Sequence, residues 1–429
     1  MTSSQVFALR PAASGSYRVA WARERLADSF WPVPVAFLVA GALLAAGTVY
    51  APGLGLKAVL PAGPPVASGE AASVLGIIAS ATLTFLGVVF TLTLVALQLS
   101  SSQASPRVLR TFIRSGITKV AFGILLATFA YSVAFLVLAG GHGHEPESRG
   151  LAIAVLLVAI SLLLFVAYVA STLRLLQVAW VITDVADRTR HSVRVHYPPA
   201  GAYHLSRAPR LDGPRQKFAL HAHAGVLQGV DHERLVSLAR RHDCVLRLLV
   251  RVGEYVPSGD DVLMVYGEND PPRYRELIAG LNLGRSRTLY QDPAYGLRQL
   301  VDIAIQALSP AINQPTTAIQ VIDRLEDILR RIAARPRLSG CYADSAGQVR
   351  LIEAVPSFED TLDLAFTEIT GYGATSPQVV RRLLAAYDVI ERGLKPALQP
   401  SITRRRDALL VQSSGLGAAA RQPDALGLG

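Results

Sequence analysis

Cysteine is scarce in this chain: 429 residues carry two, Cys244 and Cys341. That excludes a disulfide framework and a cysteine-based metal site. Gly-x-Ser-x-Gly, His-Glu-x-x-His and Walker patterns are absent, and Gly371, Tyr372 and Gly373 lack the strand and helix context of a nucleotide loop. No zinc knuckle, aromatic-rich RNA motif or helix-turn-helix pattern accompanies the net charge of +10, so nucleic acid is not an expected partner. No cofactor and no enzyme activity is expected, because no catalytic constellation is legible. A cleavable leader is not expected either: the first apolar run begins only after about 30 residues, without a small-residue cleavage site.

What the chain has instead is apolar residues. They make up 51% of it, the mean hydropathy is positive, and the excess lies in the first 180 residues. Crossing a bilayer takes about 20 mainly apolar residues. Four runs qualify: Phe30 to Tyr50, Ala71 to Leu99, Val120 to Leu138 and Leu151 to about Leu176. None holds an acidic residue, and Arg174 falls only at the end of the fourth.

Cations collect on alternate flanks. Arg10, Arg18, Arg23 and Arg25 precede the first run, Arg107, Arg110, Arg114 and Lys119 separate the second from the third, and Arg174, Arg188 and Arg190 follow the fourth. The segments 51–70 and 139–150 hold one cation each, Lys57 and Arg149. The positive-inside rule then places both termini in the cytoplasm of a bacterial inner membrane. Trp21, Trp31 and Trp180 fall near the same boundary, as an aromatic belt would. Arg107, Arg110, Arg114 and Lys119 form a membrane-surface basic set facing anionic lipid, and Val108, Leu109, Phe112 and Ile113 among them read as a short amphipathic segment.

The second run is more polar than the others. Ser80, Thr84, Gly87, Thr91 and Gln98 recur at helical steps and share one face. Such a stripe lets helices pack closely or lines a wet path between subunits or within the bundle; a homo-oligomer is the expected state. No charge marks a proton relay.

Beyond residue 177 the texture becomes that of a soluble α+β domain. Residues 177–217 read as an exit helix and a Pro- and Arg-rich connector, 218–285 as a small strand-rich module, 286–410 as a helical bundle, and 411–429 as a disordered tail. Strands are expected at Gly225 to Val230, Cys244 to Val252 and Asp261 to Tyr266. Helices are expected at Asp231 to His242, Tyr295 to Leu308, Thr316 to Ala334, Pro356 to Thr370 and Pro377 to Leu394, with Asp231 and Asp292 as caps. The run RVGEYVPSGDDVLMV resembles the strand-turn-strand of a lipoyl-type module but lacks the carrier lysine, which points to a structural hammerhead.

Candidate sites in this half are few. Ser309, Asn313, Gln314, Thr316 and Thr317 gather polar groups in a Pro-punctuated loop that could receive an anion or a partner carbonyl, or could simply close a helix-helix turn. His221 with His223 and His142 with His144 are pairs without third and fourth ligands, so no metal site is expected. Asp292, Asp302, Glu353 and Asp360 could be gathered by folding, though sequence alone does not pair them; capping and solvation are their bland roles.

Three stretches carry a family resemblance: FTLTLVALQLSSSQASPRVLR at 90–110, RVGEYVPSGDDVLMV at 251–265 and YGLRQLVDIAIQALSPAINQPTTA at 295–318. Together they are similar to a bacterial family of predicted membrane proteins, domain of unknown function 2254, from the first span to about residue 395. Members of that family usually carry Asp where this chain has Gln314, and Asp-Phe where it has Glu254 and Tyr255. The resemblance implies the architecture and leaves the activity open. Two functions fit: an oligomeric channel- or transporter-like protein with a cytoplasmic assembly or gating domain, and a membrane-anchored sensor or scaffold.

Overall fold

The computed structural model describes residues 30–50, 68–103, 116–141, 148–175, 177–197, 211, 215–221, 224–267, 270–336 and 339–415. Arg107, Arg110 and Arg114, the amphipathic segment around them, His142, His144 and His223 lie outside those residues. Two compact units divide near residue 178.

The first unit is four long helices: α1 (Pro32–Tyr50), α2 (Ser68–Gln103), α3 (Gly116–Gly141) and α4 (Ser148–Leu175). Each is long and apolar enough to cross a membrane. α3 is the hub, packing on the other three. Gly41 makes this possible, because a Cβ there would sit 2.3 Å from the carbonyl oxygen of Ala127. Hydrocarbon offers no water to hydroxyls, so they must pair inside the bundle. The Tyr131 hydroxyl donates to the Gly150 carbonyl at 3.0 Å, Thr128 and Ser161 pair at 3.0 Å, and the Tyr168 hydroxyl lies 2.7 Å from Oγ1 of Thr93. The outer surface keeps large apolar side chains such as Leu163, Val166 and Ile77 exposed, as lipid contact requires.

The second unit begins with α5 (Val178–His196), two residues beyond α4 along the chain. Strands and short helices follow: β1 (Arg215–Ala219), β2 (Gly225–Val230), α6 (His232–Arg241), β3 (Val245–Leu248), β4 (Tyr255–Val256), β5 (Asp261–Tyr266), α7 (Tyr274–Ile278) and β6 (Leu281–Gly284). Then come α8 (Pro293–Ala307), α9 (Pro315–Ala333), β7 (Cys341–Ala343), β8 (Val349–Ile352), α10 (Phe358–Gly373), α11 (Pro377–Arg392), a 3₁₀ turn (Pro396–Leu398) and α12 (Gln399–Gln412). One sheet has the order β1-β5-β3-β8-β7 and the other β4-β2-β6. All pairings are antiparallel except β3 with β8, where Leu246 faces Leu351. The core between the sheets and α6 is built from Leu227, Leu235, Leu246, Leu263, Leu277 and their neighbours.

Sequence expectation and structure differ at three places. The stretch resembling a lipoyl-type module is not a hammerhead: β4 pairs with β2 in one sheet, while β5 pairs with β1 and β3 in the other. Glycines explain the split, since Gly253 and Gly259 take positive φ and turn the chain between sheets. The strand-rich and helical parts are interleaved, because β7 and β8 return from within the helical segment to join the first sheet. Finally α12 continues to Gln412, two residues into the segment expected to be disordered.

The helices stack through α8, α9, α10 and α11, where the Phe366 and Tyr387 rings meet edge to face at 5.3 Å. Arginines bind them laterally: Arg382 of α11 to Asp323 and Glu326 of α9, Arg298 of α8 to Glu368 of α10, and Arg190 of α5 to Asp327 of α9. A further link holds the end of α5, where Oγ of Ser192 donates to the Leu289 carbonyl at 2.9 Å.

Candidate functional site

Three helices of the second unit start close together. Asp231 caps α6, accepting from the Arg234 N–H at 3.1 Å. Asp292 caps α8, accepting from Tyr295 at 3.0 Å, with Pro293 in the first turn. Ser357 and Asp360 form a reciprocal capping box on α10. Between these starts, the end of α5 and the Val252–Gly253 turn lies a cavity of about 360 Å³, within the usual range for small-ligand sites.

At its centre is Glu353, 13% exposed, just after β8. His232 Nε2 lies 3.1 Å from one carboxylate oxygen, and the Tyr342 hydroxyl donates to the other at 2.5 Å. The His232 and Tyr342 rings stack at 4.2 Å. Burial works to raise the Glu353 carboxyl, but His232, Tyr342 and His196 outweigh it and hold it below the ordinary glutamate value. His196, the last residue of α5, turns Nε2 to the Tyr290 carbonyl, and burial lowers its basicity.

Opposite lies a second pair. Arg287 reaches Asp292 at 2.7 Å, and the guanidinium also covers the Tyr295 ring. Burial nevertheless raises the Asp292 carboxyl above the usual range. Gly253, at φ +93°, passes so close that a Cβ would be 2.3 Å from Oδ2 of Asp292. Tyr197 completes the wall. It is 8% exposed, and burial, helped by Asp292, pushes its hydroxyl up to about 12, so it stays a neutral donor.

Of the four carboxylates singled out in the sequence, Asp292, Glu353 and Asp360 line this one cavity. Asp302 does not; it pairs with Arg298 on α8 at 2.7 Å. His196 and His232 carried no signal in the sequence beyond a helix end and a capped helix start. Their partners in space, Tyr290 and Glu353, lie 94 and 121 residues away.

Elsewhere the named residues are occupied locally. Ser80 and Thr84 donate to the carbonyls of Gly76 and Ser80, and Thr91 to that of Gly87, at 2.9 to 3.0 Å. All five stripe residues are exposed on α2, and a Cβ at Gly87 would meet nothing within 4 Å. Ala71, Leu75, Thr82 and Val89 are the buried residues of this helix among those described. Lys119 is buried at 5% exposure in the first turn of α3. In the 309–315 loop, Oγ of Ser309 donates to the Gln306 carbonyl, Asn313 takes φ +47°, and Thr317 reaches Oε1 of Gln314 at 3.4 Å. Thr316 is the second residue of α9. His221 stands against the Tyr274 ring, and among the described residues no three His, Cys, Asp or Glu side chains are grouped to hold a metal.

A family model described as predicted membrane protein, domain of unknown function 2254, matches residues 27–388. Uncharacterized proteins of Mycobacterium bovis and Mycobacterium tuberculosis are each 30% identical over 356 residues, covering 81% of this chain and 68% of the relative. No solved structure matches. With most of its length aligned, from the first span through the helices behind the cavity, the chain belongs to this family of predicted membrane proteins.

Proposed function

We propose that this protein is a membrane-anchored sensor whose C-terminal domain, on the cytoplasmic side of a bacterial inner membrane, binds a small molecule. The observation that carries the reading is the cavity: buried ionisable groups converge there from α5, α6, β8 and α8. Clusters of perturbed titratable residues in a cleft are where ligands bind. Its wall includes His196 and Tyr197, at the end of the helix that follows the fourth span along the chain. An occupant would thus touch the segment leading to the membrane. The test is hydrogen exchange on the full-length protein in nanodiscs, with benzoate, phenyl phosphate and benzylammonium as probes of matched size. The sensor reading expects one of them to slow exchange at residues 190–197. Unchanged exchange with all three would overturn it.

A second reading, assembly of several copies through α2 around a conducting path, is supported by the polar stripe, which turns away from the other three spans. Each stripe hydroxyl bonds its own helix, which also suits a close helix contact between copies. Solute flux in liposomes tests it: flux altered by Thr91→Leu favours conduction, whereas absence of flux leaves the anchor.

A further inference from the structure

The charge around the cavity is formally acidic, with Glu254, Asp292, Glu353 and Asp360 against Arg251 and Arg287. A simple count would assign a cationic ligand. The hydrogen bonds reverse that expectation, because every carboxylate is already engaged. Glu353 takes His232 and Tyr342, and Asp292 takes Arg287 and the α8 N-terminus. Asp360 accepts from the Ser357 N–H at 2.9 Å, and Glu254 from the Arg251 N–H at 2.8 Å.

The groups without partners are donors. The guanidinium of Arg251 lines the cavity, close enough for its charge to act on Asp360 but with no salt bridge or side-chain hydrogen bond among the described residues. The Tyr197 side chain lines the cavity, and its hydroxyl has no partner among the described residues either. Facing the cavity without a partner, that hydroxyl can donate to an acceptor placed there. His232 uses Nε2 on Glu353 and, in its charged form, offers Nδ1–H as a further donor. The first turns of α8 and α10 contribute Ala294 and Thr361 to the wall, and helix starts favour negative charge. Between these donors run flat and apolar surfaces: the stacked His232 and Tyr342 rings, Pro293, Val355 and Leu364.

We infer that the cavity takes a small organic anion, a carboxylate or a phosphomonoester on a flat apolar body, held by Arg251, Tyr197 and His232. The inference rests on the sensor reading above and names its ligand class. Arg251 holds the anion at the mouth, the Tyr197 hydroxyl bonds it from within, and the rings cover the body.

Titration calorimetry on the full-length protein in detergent tests this with phenyl phosphate, benzoate and benzylammonium. Saturable binding of phenyl phosphate or benzoate is expected, weakened about tenfold or more by Arg251→Gln, the size of loss a charge-assisted bond gives. Tyr197→Phe, which keeps the ring and the fold, should weaken it about three- to tenfold. Lys217→Gln, outside the cavity wall, should leave it unchanged. Comparing phenyl phosphate with benzoate decides between the two anion types. Anion binding undiminished by Arg251→Gln would overturn the inference, as would no saturable anion binding. Binding of benzylammonium alone would overturn the anion assignment and leave the sensor reading intact, while failure of all three probes in both calorimetry and exchange would remove both.

Discussion

His232 and Glu353 lie 121 residues apart in sequence yet are joined by a 3.1 Å contact between Nε2 and Oε2. Both sit at element ends: His232 opens α6, and Glu353 follows β8. Parallel pairing of β3 with β8 brings these ends together, so the contact reports on the sheet and on the cavity at once.

The first prediction concerns that pair. Removing one partner of a half-buried ionic hydrogen bond leaves the other unsatisfied, at a cost of about 1–3 kcal/mol. Glu353→Gln and His232→Gln should each destabilise the C-terminal domain by that amount. The double variant should cost less than their sum, as residues sharing one contact do. Thermal unfolding of the four proteins in detergent measures it; strictly additive losses would place the two side chains in separate environments.

Two glycines make a matched pair for the second prediction. Gly253 and Gly259 have φ of +93° and +94°, so alanine strains either one by about 1–2 kcal/mol. Only at Gly253 does a Cβ also meet Oδ2 of Asp292 and Nε of Arg287, at 2.3 and 2.9 Å. Gly259 is open. Gly253→Ala should therefore be the more destabilising by at least about 1 kcal/mol, the scale of an overpacked or broken buried contact. Equal losses would mean that the turn does not press on the Arg287–Asp292 pair.

Three groups around the cavity contribute to the pH dependence in separable ways. Burial lowers His196, so the unfolded chain takes a proton below about 6.5 that the folded chain refuses, and stability falls with pH from there downward. Burial opposes the lowering of Glu353, but its partners prevail. Its contribution is present above the unfolded value of 4.5 and is lost as pH falls through the folded value. Asp292 runs the other way: its folded value is raised by burial, so it favours the fold in acid and this contribution is lost as pH rises through that value. Between pH 6.5 and 5 the His196 effect acts first. His196→Gln, which can still reach the Tyr290 carbonyl, should flatten the stability profile in that window, as melting at several pH values would show. An unchanged slope would assign the loss to other residues.

Membrane orientation can be read by thiol labelling. Cysteines placed at Ala62 and Gly143 should react with an impermeant reagent in intact cells, if both termini are cytoplasmic. Cys244 is a poor reporter, because it is 3% exposed and burial pushes its thiol up to about 11. Cys341 is the native thiol to follow; it should label only after permeabilisation. Labelling of Cys341 in intact cells with the Ala62→Cys and Gly143→Cys proteins silent would invert the topology. Within α2, cysteines at Thr84 and Thr91 should cross-link between copies, with Thr82 and Val89 as the inward-facing controls.

The four spans, α6, α8, α9 and α11 were legible because each has a local cause: an apolar run of spanning length, or a cap followed by helical periodicity. Asp231 and Asp292 were read as caps and act as caps. β1, β6, β7 and β8 escaped notice, being three to five residues long and specified by partners far along the chain. The cavity was illegible for the same reason. Asp292, Glu353 and Asp360 drew attention as carboxylates, but their convergence with His196 and His232 depends on β8 joining β3, which no local pattern announces. The stripe on α2 was visible as a helical face, whereas its outward direction required the packing of α3.

The most direct test of the ligand cavity is a histidine-resolved titration. With histidine labelled at the ε1 carbon, the full-length protein in detergent gives one resonance per imidazole, assigned by His196→Gln and His232→Gln. Adding phenyl phosphate should shift the His196 and His232 resonances along one saturable curve and leave His191 and His242, outside the cavity wall, in place. The Arg251→Gln protein should need about tenfold more ligand for the same shift, in keeping with loss of a charge-assisted contact. His196 and His232 resonances stationary with both phenyl phosphate and benzoate, or equal drift of all the histidines, would contradict a ligand site at this cavity.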